Sequence, residues 1–335
     1  MKRMLWLGIV VAFAMAVSSW AGDAVSLLNV SYDPTREYYQ EIDAAFTKEW
    51  KARTGNEVIV RQSHAGSGKQ ARAVIDGLEA DVVTLALASD IDVLHDRAQL
   101  VPANWQQRLP NNSCPYDSTI VFLERRGGRN RVKDWDDLVR PGISVITANP
   151  KTSGGARWIY LAAYGYALKK NGGDDAAARR FVEQLYRNVP VMDEGARGAL
   201  TTFAQHEMGD VLIGWENDAM MVTNGFGRGR FDLVYPSISI LAEPPVCLVD
   251  KYADEHGTRA VAEGYLEYLY SPAAQEIAAR HYFRPSVKEV AREHAGEFPA
   301  MKLFTVDEVF GSWKEAQKRH FDEGGVFDEI ERSRR

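Results

Sequence analysis

The stretch Asn149-Pro150-Lys151-Thr152-Ser153-Gly154-Gly155-Ala156-Arg157-Trp158 joins two patterns of different period. Before it, Ile143, Val145, Ile146 and Thr147 form an apolar, β-branched run that predicts a buried strand. After it, Trp158, Leu161, Ala162, Gly165 and Leu168 share one helical face, and Asn171-Gly172-Gly173 ends the helix. Ser153-Gly154-Gly155 therefore stands where a strand turns into the first turn of a helix. The first N–H groups of a helix have no internal acceptor, and the helix dipole adds partial positive charge there. Gly154 and Gly155 carry no Cβ, so a small anion can approach those N–H groups closely, and Ser153 adds a hydroxyl. One serine-capped helix start is ordinary. The weight of this one comes from its recurrence.

Three further turns share the character. Ser26–Ser31 predicts a strand that runs into Asp33-Pro34, an N-cap residue followed by a proline at the first helical position. The helix after it buries Tyr38, Ile42, Phe46 and Trp50 and stops at Gly55. Val58–Arg61 is the next strand, followed by Gly66-Ser67-Gly68 and a helix with Ala71, Val74, Ile75 and Leu78 on its apolar face. Val82–Leu87 is continuously apolar, as a parallel sheet buried on both faces requires. Thr119–Leu123 begins a second series of strands, in which Val191–Asp193 turns through Gly195-Ala196-Arg197-Gly198 into a helix. Val211–Gly214 then ends at Trp215-Glu216-Asn217, and Val246–Val249 is a strand able to cross back to the first domain. Alternating strands and helices predict doubly wound α/β sheets, whose ligands bind beyond the carboxyl ends of the strands. Two of the four turns fall in each predicted domain. That pattern describes a cleft between lobes.

Bulk properties bound the function. The chain has 335 residues, enough for two domains, and a formal net charge of −6. Lys2 and Arg3 precede an apolar run from Met4 to Val17, and Ser19-Trp20-Ala21 has the form of a cleavage site. Residues 1–21 therefore read as a cleavable signal peptide, too short to span a membrane. The expected product is a soluble periplasmic protein of net charge about −8 once Lys2 and Arg3 are gone. No cysteine stands at the junction for a lipid anchor, and an acidic surface argues against nucleic acid as the partner. The basic loop Arg125, Arg126, Arg129, Arg131 and Lys133 reads as a solvated turn. Two cysteines exclude a cysteine-rich metal site.

The sequence resembles the periplasmic sulfate-binding proteins of ABC importers. The likeness runs through Asn29-Val30-Ser31-Tyr32-Asp33-Pro34-Thr35-Arg36-Glu37, Arg61-Gln62-Ser63-His64 with Gly66-Ser67-Gly68-Lys69-Gln70, and the Asn149–Trp158 stretch. It continues in Gly195-Ala196-Arg197-Gly198, Trp215-Glu216-Asn217, and Ser271-Pro272 with Gln275–Ala279, and covers about residues 25–328. The resemblance implies a two-lobe type II binding-protein fold with hinge strands between the lobes. Its expected parts are lobe 1 over 22–113 and 247–300, lobe 2 over 114–246, and a helical tail over 301–335 packed on lobe 2. It also implies a sulfate held by the amides of Asp33, Ser67, Gly154, Gly155 and Ala196, the Ser153 hydroxyl and the Trp215 indole N–H. His64, Arg157 and Arg197 match positions that support these peptides from behind. Ala65 and Thr152 stand where relatives often carry Gly and Ser. No metal or cofactor is implied, and the partners would be the membrane permease subunits, met by a monomer.

Other readings fare worse. Gly66-Ser67-Gly68-Lys69 resembles a phosphate loop, but its earlier glycine falls at Ser63 and Gln70 replaces the Ser/Thr. Ser67 lacks the glycine spacing of a nucleophile elbow, and no His-Glu-x-x-His motif occurs, so an enzyme is not expected. Within the binding class thiosulfate is the runner-up, then molybdate and phosphate. All seven implied contacts are donors, which disfavours a protonated phosphate and predicts a nearly flat pH profile for sulfate. The hinge crossings also predict a disulfide: Cys114 precedes Pro115 where the chain leaves lobe 1, and Cys247 follows Pro244-Pro245 where it returns.

Overall fold

A computed structural model describes residues 24–334. The expected leader lies outside them. In chain order the strands are β1 (Val25–Tyr32), β2 (Val58–Ala65), β3 (Val82–Thr84), β4 (Tyr116–Arg125), β5 (Val145–Ala148) and β6 (Met192–Asp193). They continue with β7 (Val211–Trp215), β8 (Phe231–Val234), β9 (Ser239–Ala242), β10 (Val246–Leu248), β11 (Arg284–Pro285) and β12 (Leu303–Phe304).

The strands form two sheets. The first has the order β10-β3-β1-β2, with β1, β2 and β3 parallel and β10 antiparallel on its edge. Leu27 and Val30 of β1 face opposite sides, each into its own core. One side is covered by the Arg36–Thr54 helix, through Tyr38, Tyr39, Ile42 and Phe46, and by Val261–Ile277 from the returning chain. The other is covered by the Ser67–Ile75 and Ala88–Ala98 helices. The second sheet has the order β12-β9-β4-β7-β5-β6, with β8 and β11 also paired to β4. Here β5, β6 and β7 are mutually parallel, and β4 runs against them. Each sheet is sandwiched by helices, as continuous apolar strands demand.

The strand β4 belongs to both lobes. Tyr116 at its start packs with Val246, Phe283 and Tyr265 of the first lobe, while Ile120 and Phe122 lie in the core of the second. The chain returns through Glu243-Pro244-Pro245 between β9 and β10. Most of the final segment packs on the second lobe, where Phe304, Val306, Ala316, Phe321, Phe327 and Ile330 share a core with Tyr160, Tyr164 and Val182, but Trp313 also packs against the first lobe's core beside the Ala88–Ala98 helix. There the Phe304 ring lies so close to Gly165 that a methyl group on Gly165 would stand 2.3 Å from it.

The disulfide is a correction. Cys114 and Cys247 are both free and buried. Pairing of Cys247 with Val83 turns its side chain toward Val30 and Tyr252, while its neighbours Val246 and Leu248 face the Tyr116 core. The Cys114 thiol lies instead against the carbonyl oxygen of Glu243, at 3.4 Å. Strand alternation keeps the two sulfurs on different faces.

Close packing at Gly165 gives a measurable expectation. Gly165→Ala should destabilise by roughly 1–3 kcal/mol through overpacking, and Phe304→Ala by roughly 3–5 kcal/mol through the cavity it leaves. In urea unfolding the double variant should lose less than the two single losses combined. Additive losses would mean that the two positions do not share that space.

Candidate functional site

Five parallel strands bring their carboxyl ends to one place. β1 ends at Tyr32 and enters a tight turn over Asp33–Thr35. β2 ends at Ala65, and Gly66 precedes the Ser67–Ile75 helix. β5 leads through Asn149–Ser153 into the Gly154–Lys170 helix, and β6 through Gly195 into the Ala196–Ala204 helix. β7 ends at Trp215 itself.

The turns of the two lobes touch. A methyl group placed on Gly66 would stand 2.8 Å from the Thr152 carbonyl oxygen, and one on Gly154 2.9 Å from Ser67 Cβ. On Gly155 it would meet Trp215 Nε1 at 2.7 Å, and on Gly195 the Asp33 carboxylate at 2.9 Å. The seven residues of the expected set therefore lie on turns that touch or adjoin one another where the lobes meet. Glycine is needed there for close approach.

The donors are unspent. Asp33, Ser67, Gly154 and Ala196 open their helical turns and Gly155 is second in its helix, so none of these amides has an intrahelical acceptor. Trp215 is fully buried, and its indole N–H has no acceptor among the described residues. Its ring packs against Tyr32 at 5.7 Å and Trp158 at 6.5 Å, which fixes the N–H direction. The Ser153 hydroxyl accepts from the Ala156 amide at 3.2 Å, which leaves its proton to point elsewhere. Ser67 differs: its hydroxyl donates to Asp90 at 2.5 Å and accepts from the Ala86 amide at 2.9 Å. Only its own amide remains for a ligand.

The three supporting residues stand behind the turns. Arg157 donates to the Pro150 carbonyl at 2.9 Å and pairs with Asp90 of the other lobe at 3.3 Å, both side chains largely buried. Arg197 contacts both carboxylate oxygens of Glu37, also across the lobes, at 2.7 and 2.8 Å. His64 lies beside Ser31 in the β1–β2 register, and its buried Nδ1 has no partner. Burial, with Arg36 adding to it, lowers its pKa to about 4, so the ring is neutral. Trp158 adds a third bridge between lobes, donating to the Ala86 carbonyl at 2.7 Å. The lobes are closed on each other.

Two details depart from expectation. Asp33 does not cap its helix. The extended residue is Tyr32, so Asp33 is already inside the turn and its carboxylate reaches Arg36 at 3.5 Å. Second, the all-donor site has an acid beside it. Asp218, in the first turn of the Glu216–Asn224 helix, lines a small cavity with Ala156, Ala196 and Trp215. It makes no hydrogen bond or ion pair among the described residues. Burial raises its pKa to about 7; Arg197 opposes the rise and Glu37 and Asp33 add to it. Asp90, Glu37 and Asp218 each had a faint signal, an acid in the first turn of a helix. The partners of Asp90 and Glu37 lie far away in sequence.

A family model for bacterial extracellular solute-binding proteins matches residues 27–284. The chain is 55% identical to the sulfate-binding protein of Escherichia coli over 323 residues, covering 96% of this chain and 98% of the relative. It is 50% identical to the thiosulfate-binding protein of Pseudomonas aeruginosa, covering 98% and 99%. Among solved structures, the sulfate-binding protein SubI from Mycobacterium tuberculosis H37Rv superposes with a TM-score of 0.80 at 31% identity, covering 89% of this chain and all of that one.

The two bridges between lobes should differ in weight. Asp90→Asn breaks a buried pair and is expected to cost the closed arrangement roughly 3–5 kcal/mol. Glu37→Gln breaks a half-exposed pair and is expected to cost about 1 kcal/mol or less. Urea unfolding of each variant reads both. Equal losses would overturn the ranking.

Proposed function

The chain belongs to the bacterial extracellular solute-binding protein family, and from that premise we propose that it captures one sulfate dianion between its lobes for an ABC importer. The observation that carries the reading is the fully buried Trp215 N–H, without an acceptor, at the meeting point of four turns whose first amides are also unspent. Burying a dianion is costly unless its oxygens find hydrogen-bond donors. Amides of Asp33, Ser67, Gly154, Gly155 and Ala196, with Ser153 and Trp215, would supply such donors to its oxygens without placing a cation against the ligand. Charge is balanced at one remove, by helix starts and by Arg157 and Arg197 behind the peptides.

Thiosulfate is the second reading, favoured by the 50% identity to a thiosulfate-binding relative. It asks for nearly the same donors. Delivery to membrane permease subunits and export by way of residues 1–21 complete the proposal, in keeping with a family described as extracellular.

Ser153→Ala and Trp215→Phe each remove a donor to a charged acceptor. Each is expected to cost roughly 1.5–3 kcal/mol, about 10- to 150-fold in sulfate affinity by calorimetry. Unchanged affinity in both variants sinks the assigned site. Competition between sulfate and thiosulfate on the unaltered protein ranks the two ligands.

The Asp218 carboxyl replaces the flat pH profile expected from donors alone. Below about pH 7 it is neutral and does not repel the dianion; above that it ionises and does. Sulfate affinity should therefore be fully developed on the acid side and fall as pH rises through about 7. Asp218→Asn should flatten the profile, and an identical slope in that variant would remove Asp218 from the account.

A further inference from the structure

At the end of the second sheet remote from the cleft, Arg125, Arg126 and Arg230 line one open cavity of about 410 Å³, together with Glu207, Gly229 and Phe231. The register fixes its distance from the ligand site. Ile120 of β4 pairs with Trp215 and Glu124 with Val211, so Arg125 lies a strand length away, roughly 15 Å from the indole.

The guanidinium groups are held in place. Arg125 donates to the carbonyls of Gly209 at 2.9 Å and Phe203 at 2.6 Å and sits 4.4 Å over the Phe203 ring centroid. Arg126 spends its Nε on Asp232 at 2.8 Å, and Arg230 one terminal nitrogen on Glu207 at 3.0 Å. Each arginine keeps at least one terminal nitrogen with no acceptor among these contacts. Around them Arg129, Lys133 and Arg228 are exposed. Met208, whose carbonyl accepts from Arg125, is 40% exposed, and Phe226, in the turn that leads to Arg230, is 57% exposed; they are two of the four large hydrophobic side chains so exposed among the described residues.

This grouping is out of character for a chain of net charge −6. Glu207 and Asp232 are each already paired to an arginine of the patch; at its margin Asp210 accepts from Asn130 and the Ser144 amide, and Asp134 and Asp137 accept from backbone amides beside Lys133. Guanidinium forks match phosphodiester oxygens, and an exposed phenylalanine and methionine match the acyl boundary below them. We propose that this end of the second lobe docks on the surface of a bilayer carrying anionic phospholipid. The acidic remainder of the molecule is repelled by the same surface, which sets one orientation and leaves the cleft, at the other end of the sheet, unobstructed. Contact with phosphatidylglycerol would confine the loaded protein to the plane in which an importer is met.

Flotation tests this with exported, processed protein and vesicles of phosphatidylcholine alone or mixed with phosphatidylglycerol. Binding is expected only to the mixed vesicles and should weaken as salt is raised. With about 1 kcal/mol per basic residue near the surface, Arg126→Glu/Arg230→Glu should lower the partition coefficient at least about tenfold. Phe226→Ser should lower it without changing the salt dependence, and sulfate affinity, unchanged in both variants, certifies their fold. Equal binding to both vesicle types overturns the proposal, as does full binding by the charge-reversed variant. Calorimetric binding of inorganic phosphate lost in that variant, without vesicle binding, would replace the bilayer with a free anion. Capture only by phosphatidylcholine vesicles containing the importer would replace it with a protein partner.

Discussion

A helix start has backbone N–H groups that the helix itself cannot satisfy, and this protein puts four such starts around one point. Everything near the cleft serves that convergence. Parallel strands deliver the chain to the same side of each sheet, so their following turns meet; antiparallel pairing would send alternate turns to the opposite end. Glycines at positions 66, 154 and 195 let the turns of one lobe come within van der Waals contact of the other, and Gly155 lets its helix start approach Trp215 within the second lobe. A side chain at these positions would meet a carbonyl oxygen, Ser67 Cβ, a carboxylate oxygen or the indole at under 3 Å.

Much of this was legible in the sequence because it is local. Helix starts after Asp33, Gly66, Ser153 and Gly195 show as small residues between two periodicities. Trp215 stands out as a lone donor at a strand end. What escaped is the pairing of side chains across the lobes, which depends on how two separately folded sheets face each other. Nothing near Arg157 points to Asp90, nor anything near Arg197 to Glu37. Asp33 went wrong for a smaller reason: the cap position slid back by one residue, and the carboxylate followed the turn to Arg36. The cysteines failed on parity, since crossing strands can be neighbours and still send alternate side chains apart.

On the proposed function, the arrangement separates the tasks of binding a charge and neutralising it. Arg157 and Arg197 pair with acids of the other lobe, so both ion pairs form only when the lobes meet and are lost when they part. In the closed arrangement the peptides stand between these guanidinium groups and the proposed ligand. His64 is neutral chiefly because it is buried, with the nearby Arg36 and Arg197 charges disfavouring a further proton as well.

Opening must be absorbed somewhere, and the crossings between lobes show where. Tyr116 is anchored in the first lobe and Ile120 in the second, so the bend falls on a few residues between them. Beside it the chain returns through Glu243-Pro244-Pro245, and two prolines in succession cannot donate ladder hydrogen bonds. The first lobe holds this crossing from the far side, where the Leu85 amide donates to the Pro245 carbonyl at 3.1 Å. Asp117 and Glu243, one on each crossing, are raised in pKa by burial, Asp117 to about 7 with Glu243 adding to the rise and Arg284 opposing it. The ladder between the crossings stops at Ser118 and Ala242, immediately before Asp117 and Glu243, and two acids that repel each other there oppose its continuation. On the proposed function, that break in the pairing is where the crossings would bend as the lobes part.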